Sequence, residues 1–197
     1  EETELTRFNS LIVALAEGLY RRCQLDSSIE DALPQARRLD RFCKAYDMLA
    51  ILNIKPIGET SFSGKDTERV MQRSGMRLGD QNIFHYYDPR NGRSQFSLAN
   101  RYQPGYFSHT DLIDGSFWGL TMFMSIPRCT EPSKSFGEML SVAEYLASEL
   151  NGSLADPDSG QLSPAHLALI QRQVHGVGES MKRLGVTPGG EEALRLF

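Results

Sequence analysis

Six residues, Asp88-Pro89-Arg90-Asn91-Gly92-Arg93, restrict the fold more than any others in the chain. Their proline and Asn-Gly pair make a reverse turn between two runs rich in strand-forming residues, so the pattern predicts a β-hairpin with strands over 81–87 and 95–102. A connection this short allows only antiparallel pairing, because a parallel return needs a crossover of a dozen or more residues.

Other elements are placed around that hairpin. The apolar run Met48-Leu49-Ala50-Ile51-Leu52 is bounded by polar residues at strand length, giving a strand over 47–54. Another covers 118–126 and ends at Pro127, which cannot donate to a ladder. Helical spacing of Phe8, Leu11, Ile12, Leu15 and Leu19 predicts a helix over 5–20, and Leu33, Ala36, Leu39, Phe42 and Cys43 share the face of a second ending near Tyr46, with Pro34 in its first turn. Ser63 with Asp66, and Gly75 at the far end, bracket a helix over 65–74. Ser135 with Glu138 is read as the cap of a helix closed by Asn151-Gly152, and Ser163 with Pro164 starts a last helix running to Gly185. Two small strands, 153–155 and 161–162, are expected around the turn Pro157-Asp158-Ser159-Gly160. Hairpin-linked strands with long helices arriving late make an α+β domain with an antiparallel sheet.

Residues 1–45 form a helical extension ahead of this domain, which spans 46–186 and is followed by a tail over 187–197. Setting Leu11, Ile12, Leu15, Ala16 and Leu19 against Val142, Ala143, Leu146, Ala147 and Leu150 brings Arg22-Cys23-Gln24 over Ser153-Leu154-Ala155. The extension is therefore either the remnant of a degenerate first repeat or an overlay produced by helical periodicity alone. Its amphipathic helices call for a partner surface, in the same chain or in a second copy through self-association.

Chemistry of several kinds is disfavoured. With 25 Asp+Glu against 21 Lys+Arg and no basic run longer than a pair, nucleic acid is not an expected partner. Cys23, Cys43 and Cys129 are odd in number and far apart, unlike a disulfide framework or a zinc site. No stretch reaches the ~20 apolar residues of a membrane span, so the chain is expected to be soluble. Because it begins at Glu1, it is read as a piece of a longer protein whose anchor would lie upstream. Gly58 through Lys65 imitates a phosphate loop, but five residues separate its glycines where four are needed and Asp66 replaces the Ser/Thr. His85, His109, His166 and His175 are scattered, and Asp156 and Asp158 flank a turn that favours Asp for its geometry. No catalytic residue, metal or cofactor is expected.

The informative anomaly is apolar character on both faces of the sheet. Along 118–126, Leu120, Met122, Met124 and Ile126 share one face and leave Thr121, Phe123 and Ser125 on the other; Leu49 and Ile51 likewise oppose Met48, Ala50 and Leu52. Either a second layer of helices covers Phe123 or the sheet exposes a shallow apolar patch suited to a partner.

Several blocks resemble the C-terminal domain of the ZipA family: Asn53-Ile54, Gly64, Gly75, Gly79-Asp80-Gln81-Asn82-Ile83-Phe84-His85, Phe96-Ser97-Leu98-Ala99-Asn100, Pro104-Gly105 and Gly119-Leu120-Thr121-Met122-Phe123-Met124. The resemblance covers roughly residues 46–183. It implies a split β-α-β antiparallel sheet with helices on one face and the other bare, a cell-division module that captures the C-terminal tail of FtsZ, and a location on the cytoplasmic side of the bacterial inner membrane, where the whole protein tethers the division ring. Membrane attachment would come only through an anchor absent from this chain. Carried over by position, the peptide groove comprises Leu49, Ile51, Gln81, Ile83, Ala99, Arg101, Thr121 and Phe123. Gln81 and Arg101 stand where the best-known member has methionine, and each lost apolar contact removes up to ~1.5–3 kcal/mol.

The competing reading is a ZipA-like assembly module whose sheet face binds another protein or its own tail. That tail ends in Leu194, Leu196 and Phe197 behind two glutamates, and either caps the domain's own core or reaches the groove near Phe123.

Overall fold

The computed structural model describes residues 2–24, 28–156 and 160–197. It divides into two compact units, Glu1–Ala45 and Tyr46–Phe197. The first unit holds α1 (Glu2–Gly18) and most of α2 (Ile29–Tyr46). The stripe of α1 is not buried within this unit, since Phe8, Leu11, Leu15 and Leu19 are all exposed. Pro34 falls in the second turn of α2, not the first. The reason is local: the Ser28 hydroxyl accepts the Asp31 N–H at 3.1 Å and starts the helix earlier than the proline suggested. Arg22, Cys23 and Gln24, which the overlay matched to a strand, form none.

In the second unit the order is β1 (Leu49–Pro56), β2 (Phe62–Ser63), α3 (Gly64–Arg73), β3 (Arg77–Leu78), β4 (Phe84–Tyr87), β5 (Ser94–Asn100), α4 (His109–Asp114), β6 (Ser116–Phe117), β7 (Leu120–Ser125), α5 (Pro132–Glu149), β8 (Gly152–Ala155), α6 (Pro164–Arg183) and α7 (Glu191–Leu196). Six strands form one sheet in the order β3-β4-β5-β7-β1-β8, and every pairing is antiparallel. The hairpin closes as expected, with the Asp88 N–H donating to the Arg93 carbonyl at 2.8 Å. Strands β2 and β6 pair separately, Phe62 opposite Phe117.

Alternation decides what the sheet buries. Ala50, Leu52 and Ile54 of β1, Phe96 and Leu98 of β5, and Leu120, Met122 and Met124 of β7 are each at most 3% exposed. They face α5, which presents Phe136, Met139, Ala143 and Leu146 and also packs against α6. Stacked Tyr86 and Phe96, 4.6 Å apart, and the edge-on pairs Phe84–Phe107 and Phe107–Phe117 extend this core.

The caps of α3 and α6 follow their chemistry. Ser63 accepts the Asp66 N–H and Ser163 the His166 N–H. At the end of α6, Gly185 adopts φ +86°, its N–H donates to the Lys182 carbonyl, and the Val186 N–H donates to the Met181 carbonyl, which satisfies the last carbonyls in a Schellman arrangement.

Three expectations are corrected. Gln81 does not begin a strand: β3 pairs with β4, so the chain reverses through Asp80–Asn82 with Gln81 at φ +58° and Asn82 at φ +54°. Ser135 does not cap α5, because Pro132 takes its first turn and places Ser135 inside the helix, where its hydroxyl donates to Gln95 Oε1 at 2.7 Å. Trp118 precedes the sheet strand, which starts at Leu120, and is 60% exposed. The short strands around 152–161 are present as β8 and a bridge between Ala155 and Gln161, whereas the turn residues 157–159 lie outside the described residues.

Candidate peptide-binding face of the sheet

The face turned away from α5 is assembled by register. Phe123 lies opposite Ile51 on β1 and Ser97 on β5, and Ser97 lies opposite His85 on β4. The adjacent row is Asn53, Thr121 and Ala99, and on the other side Leu49 lies opposite Ser125. Leu49 is 53% exposed, while Ile51, Ala99, Thr121 and Phe123 are half-buried. An apolar strip therefore crosses the three central strands with surface left to cover.

Polar ties bound the strip at both ends. Asn53, 3% exposed, donates through Nδ2 to the Asp156 carbonyl at 2.8 Å and accepts the Thr121 hydroxyl at 2.7 Å. This satisfies a buried amide and turns the Thr121 hydroxyl toward Asn53, leaving its methyl as the apolar part of that side chain. At the other end, Nε2 of His85 lies 3.1 Å from the Asp80 carbonyl, which can only accept, so Nε2 donates there and Nδ1 accepts the hydrogen bond of the Ser97 hydroxyl at 2.8 Å. His85 is thereby committed to positioning the turn that precedes β4.

Beside the strip lies a shallow cleft of about 620 Å³. It gathers Leu49, Gln81, Ile83 and Phe123 from the eight groove positions; Ile51, Ala99, Arg101 and Thr121 lie outside its lining. Ile83 is only 6% exposed and serves as floor, whereas Gln81 projects from the turn and is exposed. Arg101 follows β5, where its N–H donates to the Gly119 carbonyl at 3.0 Å and its guanidinium stands 5.7 Å from the Tyr102 ring centroid. Three of the other cleft residues, Arg93, Arg128 and Leu194, were not among the eight groove positions. The first two sit in a turn and a loop, where alternation says nothing about facing, and Leu194 is about seventy positions from Phe123 in sequence.

Arg93 and Arg128 against Asp80 leave the cleft with a basic bias, matched to a ligand that combines apolar side chains with acidic groups. The nearby Cys129 thiol donates to the Gln95 carbonyl at 3.2 Å, and burial pushes its pKa up to about 11, so it stays protonated at neutral pH. Among the described residues no cluster of His, Cys, Asp and Glu is placed to hold a metal ion, and no helix is long and apolar enough to cross a membrane.

Comparison with known proteins identifies a relationship over the same region. The family described as ZipA, C-terminal FtsZ-binding domain, matches residues 48–173. Among curated proteins, the cell division protein ZipA of Vibrio campbellii is 33% identical over 126 residues, covering 63% of this chain and 39% of that protein. ZipA of Vibrio cholerae is 31% identical over 150 residues, 75% of this chain and 49% of its own length, and ZipA of Pseudomonas aeruginosa is 34% identical over 119 residues, 59% and 41%. The chain thus spans less than half the length of these relatives.

Proposed function

Because the chain belongs to the family of ZipA C-terminal FtsZ-binding domains, we propose that it captures the C-terminal tail of FtsZ on the face of the sheet away from α5, as a binding module with no catalytic step. The observation that carries this reading is the strip of Leu49, Ile51, Ala99 and Phe123, apolar and left open beside a cleft with basic residues. The proposed groove is completed by Gln81, Ile83, Arg101 and Thr121. In this reading the longer protein carries the inner-membrane anchor, and this domain works on the cytoplasmic side to hold the division ring to the membrane.

Affinity in the micromolar range is expected. A few apolar anchors contribute ~1.5–3 kcal/mol each, and ordering the peptide costs roughly 2–5 kcal/mol. Titration of the 197-residue chain with a synthetic peptide of the host's FtsZ tail tests the reading, with backbone chemical shifts expected to move at Leu49, Ile51, Ala99 and Phe123. Shifts clustered away from these four positions would overturn it. One observation favours a second reading, in which the face binds a different protein: Gln81 and Arg101 put polar groups at two groove positions, which weakens a purely apolar ligand.

A further inference from the structure

The chain continues past the segment that matches the family, and its last residues are docked. Beyond α6, Pro188 and Gly189 are buried. The Gly189 N–H donates to the Pro127 carbonyl at 2.8 Å, and the Gly189 carbonyl accepts from Arg93 Nη1 at 3.1 Å. Gly189 has φ +69°, and a Cβ there would lie 2.6 Å from the Thr130 backbone nitrogen, so the crossing over the loop between β7 and α5 admits only glycine. Ala193 is fully buried, which fixes one side of α7. The next residue, Leu194, lines the same cleft as Leu49 and Phe123.

Resting on the FtsZ-tail reading, we propose that the C-terminal segment 187–197 is a built wall of the peptide groove, with Leu194 as a specificity-determining contact for an apolar side chain of the bound peptide. The segment is a wall and not an occupant. The cleft keeps its volume of about 620 Å³ with α7 in place, and neither Leu196 nor Phe197 is part of its lining. Removing Leu194 therefore takes away contact area without clearing any space for the ligand. The arrangement is also rigid before binding, since a backbone hydrogen bond to Pro127, a second from the Arg93 side chain and a glycine-only crossing hold the segment that leads into α7, so the peptide does not have to order it.

The test compares the wild-type chain with Leu194→Ala and Leu194→Met in titrations against the FtsZ-tail peptide, with thermal unfolding of each. Leu194→Ala is expected to weaken binding about two- to fivefold, as the loss of the uncovered part of one apolar contact implies, while Leu194→Met stays close to wild type. The half-buried position predicts little change in the unfolding midpoint of either variant. Wild-type chain that fails to bind the peptide would remove the functional reading and this inference with it. Wild-type binding with unchanged affinity in Leu194→Ala would refute the wall alone, and tighter binding would refute it by making α7 a competitor.

Discussion

Two adjacent residues of β7 separate the roles of the two sheet faces. Met122 points at α5 and is fully buried, while Phe123 points away, half-buried against the row formed with Ile51 and Ser97. Truncating Met122 to alanine leaves a cavity in the core and should cost about 2–5 kcal/mol of stability. For a domain of this size each kcal/mol lowers the unfolding midpoint by roughly 2–4 °C, so a fall of about 4–20 °C is expected. Peptide affinity of the folded variant should stay within about twofold of wild type, because no Met122 surface is available to a ligand. Phe123→Ala should do the opposite. Full burial of a phenylalanine contributes ~1.5–3 kcal/mol, and with no more than about a third of that surface still open, the peptide gains roughly 0.5–1 kcal/mol by closing over the rest. At about 1.4 kcal/mol per decade this weakens binding roughly two- to fivefold. The stability loss should be no more than about 2 kcal/mol, the share held by the covered two thirds. Calorimetric titration and thermal unfolding of both variants read the two quantities independently. The reasoning fails if Met122→Ala loses affinity while keeping its midpoint, or if Phe123→Ala unfolds like a core variant and binds the peptide unchanged.

Further outcomes follow from the same contacts. Asn53→Ala removes the bonds to Asp156 and Thr121 and should cost about 1–3 kcal/mol in urea unfolding. Gly189→Ala should release α7 by strain and collision, seen as faster amide exchange at Ala193 and Leu194 while β7 keeps its protection. Arg90 hydrogen-bonds Asp88 and Glu131 and holds both carboxyls below their ordinary values of 3.8 and 4.5. Stability from depressed carboxyls is complete above those values and is lost as pH falls through the folded-state ones, so the deficit of Arg90→Ala relative to wild type should shrink between about pH 6 and pH 2 in unfolding midpoints.

What the sequence by itself determined is what short-range chemistry controls. The Asp88–Arg93 turn, the capping hydroxyls of Ser63 and Ser163, the Gly185 stop and the alternation along 120–126 each act through neighbours within a few residues, and each is realised as read. Alternation also put Phe123 and Met122 on opposite faces, but left undecided whether helices cover Phe123, and the structure shows that face uncovered by α5. Local evidence misled at two places: β3 is two residues long and has no period to read, yet its pairing with β4 bends Gln81 into a turn, and at Ser135 a competing local signal won, since Pro132 starts α5 earlier and leaves the hydroxyl inside the helix, bonded to Gln95 forty positions away. Only the tertiary structure decided that β1 lies between β7 and β8, that Asn53 closes one end of the strip, and that Leu194 stands beside Phe123 in one cleft. Such contacts depend on which distant segments meet, and that is settled by the burial and loop closure of the whole domain, which no local window of sequence records.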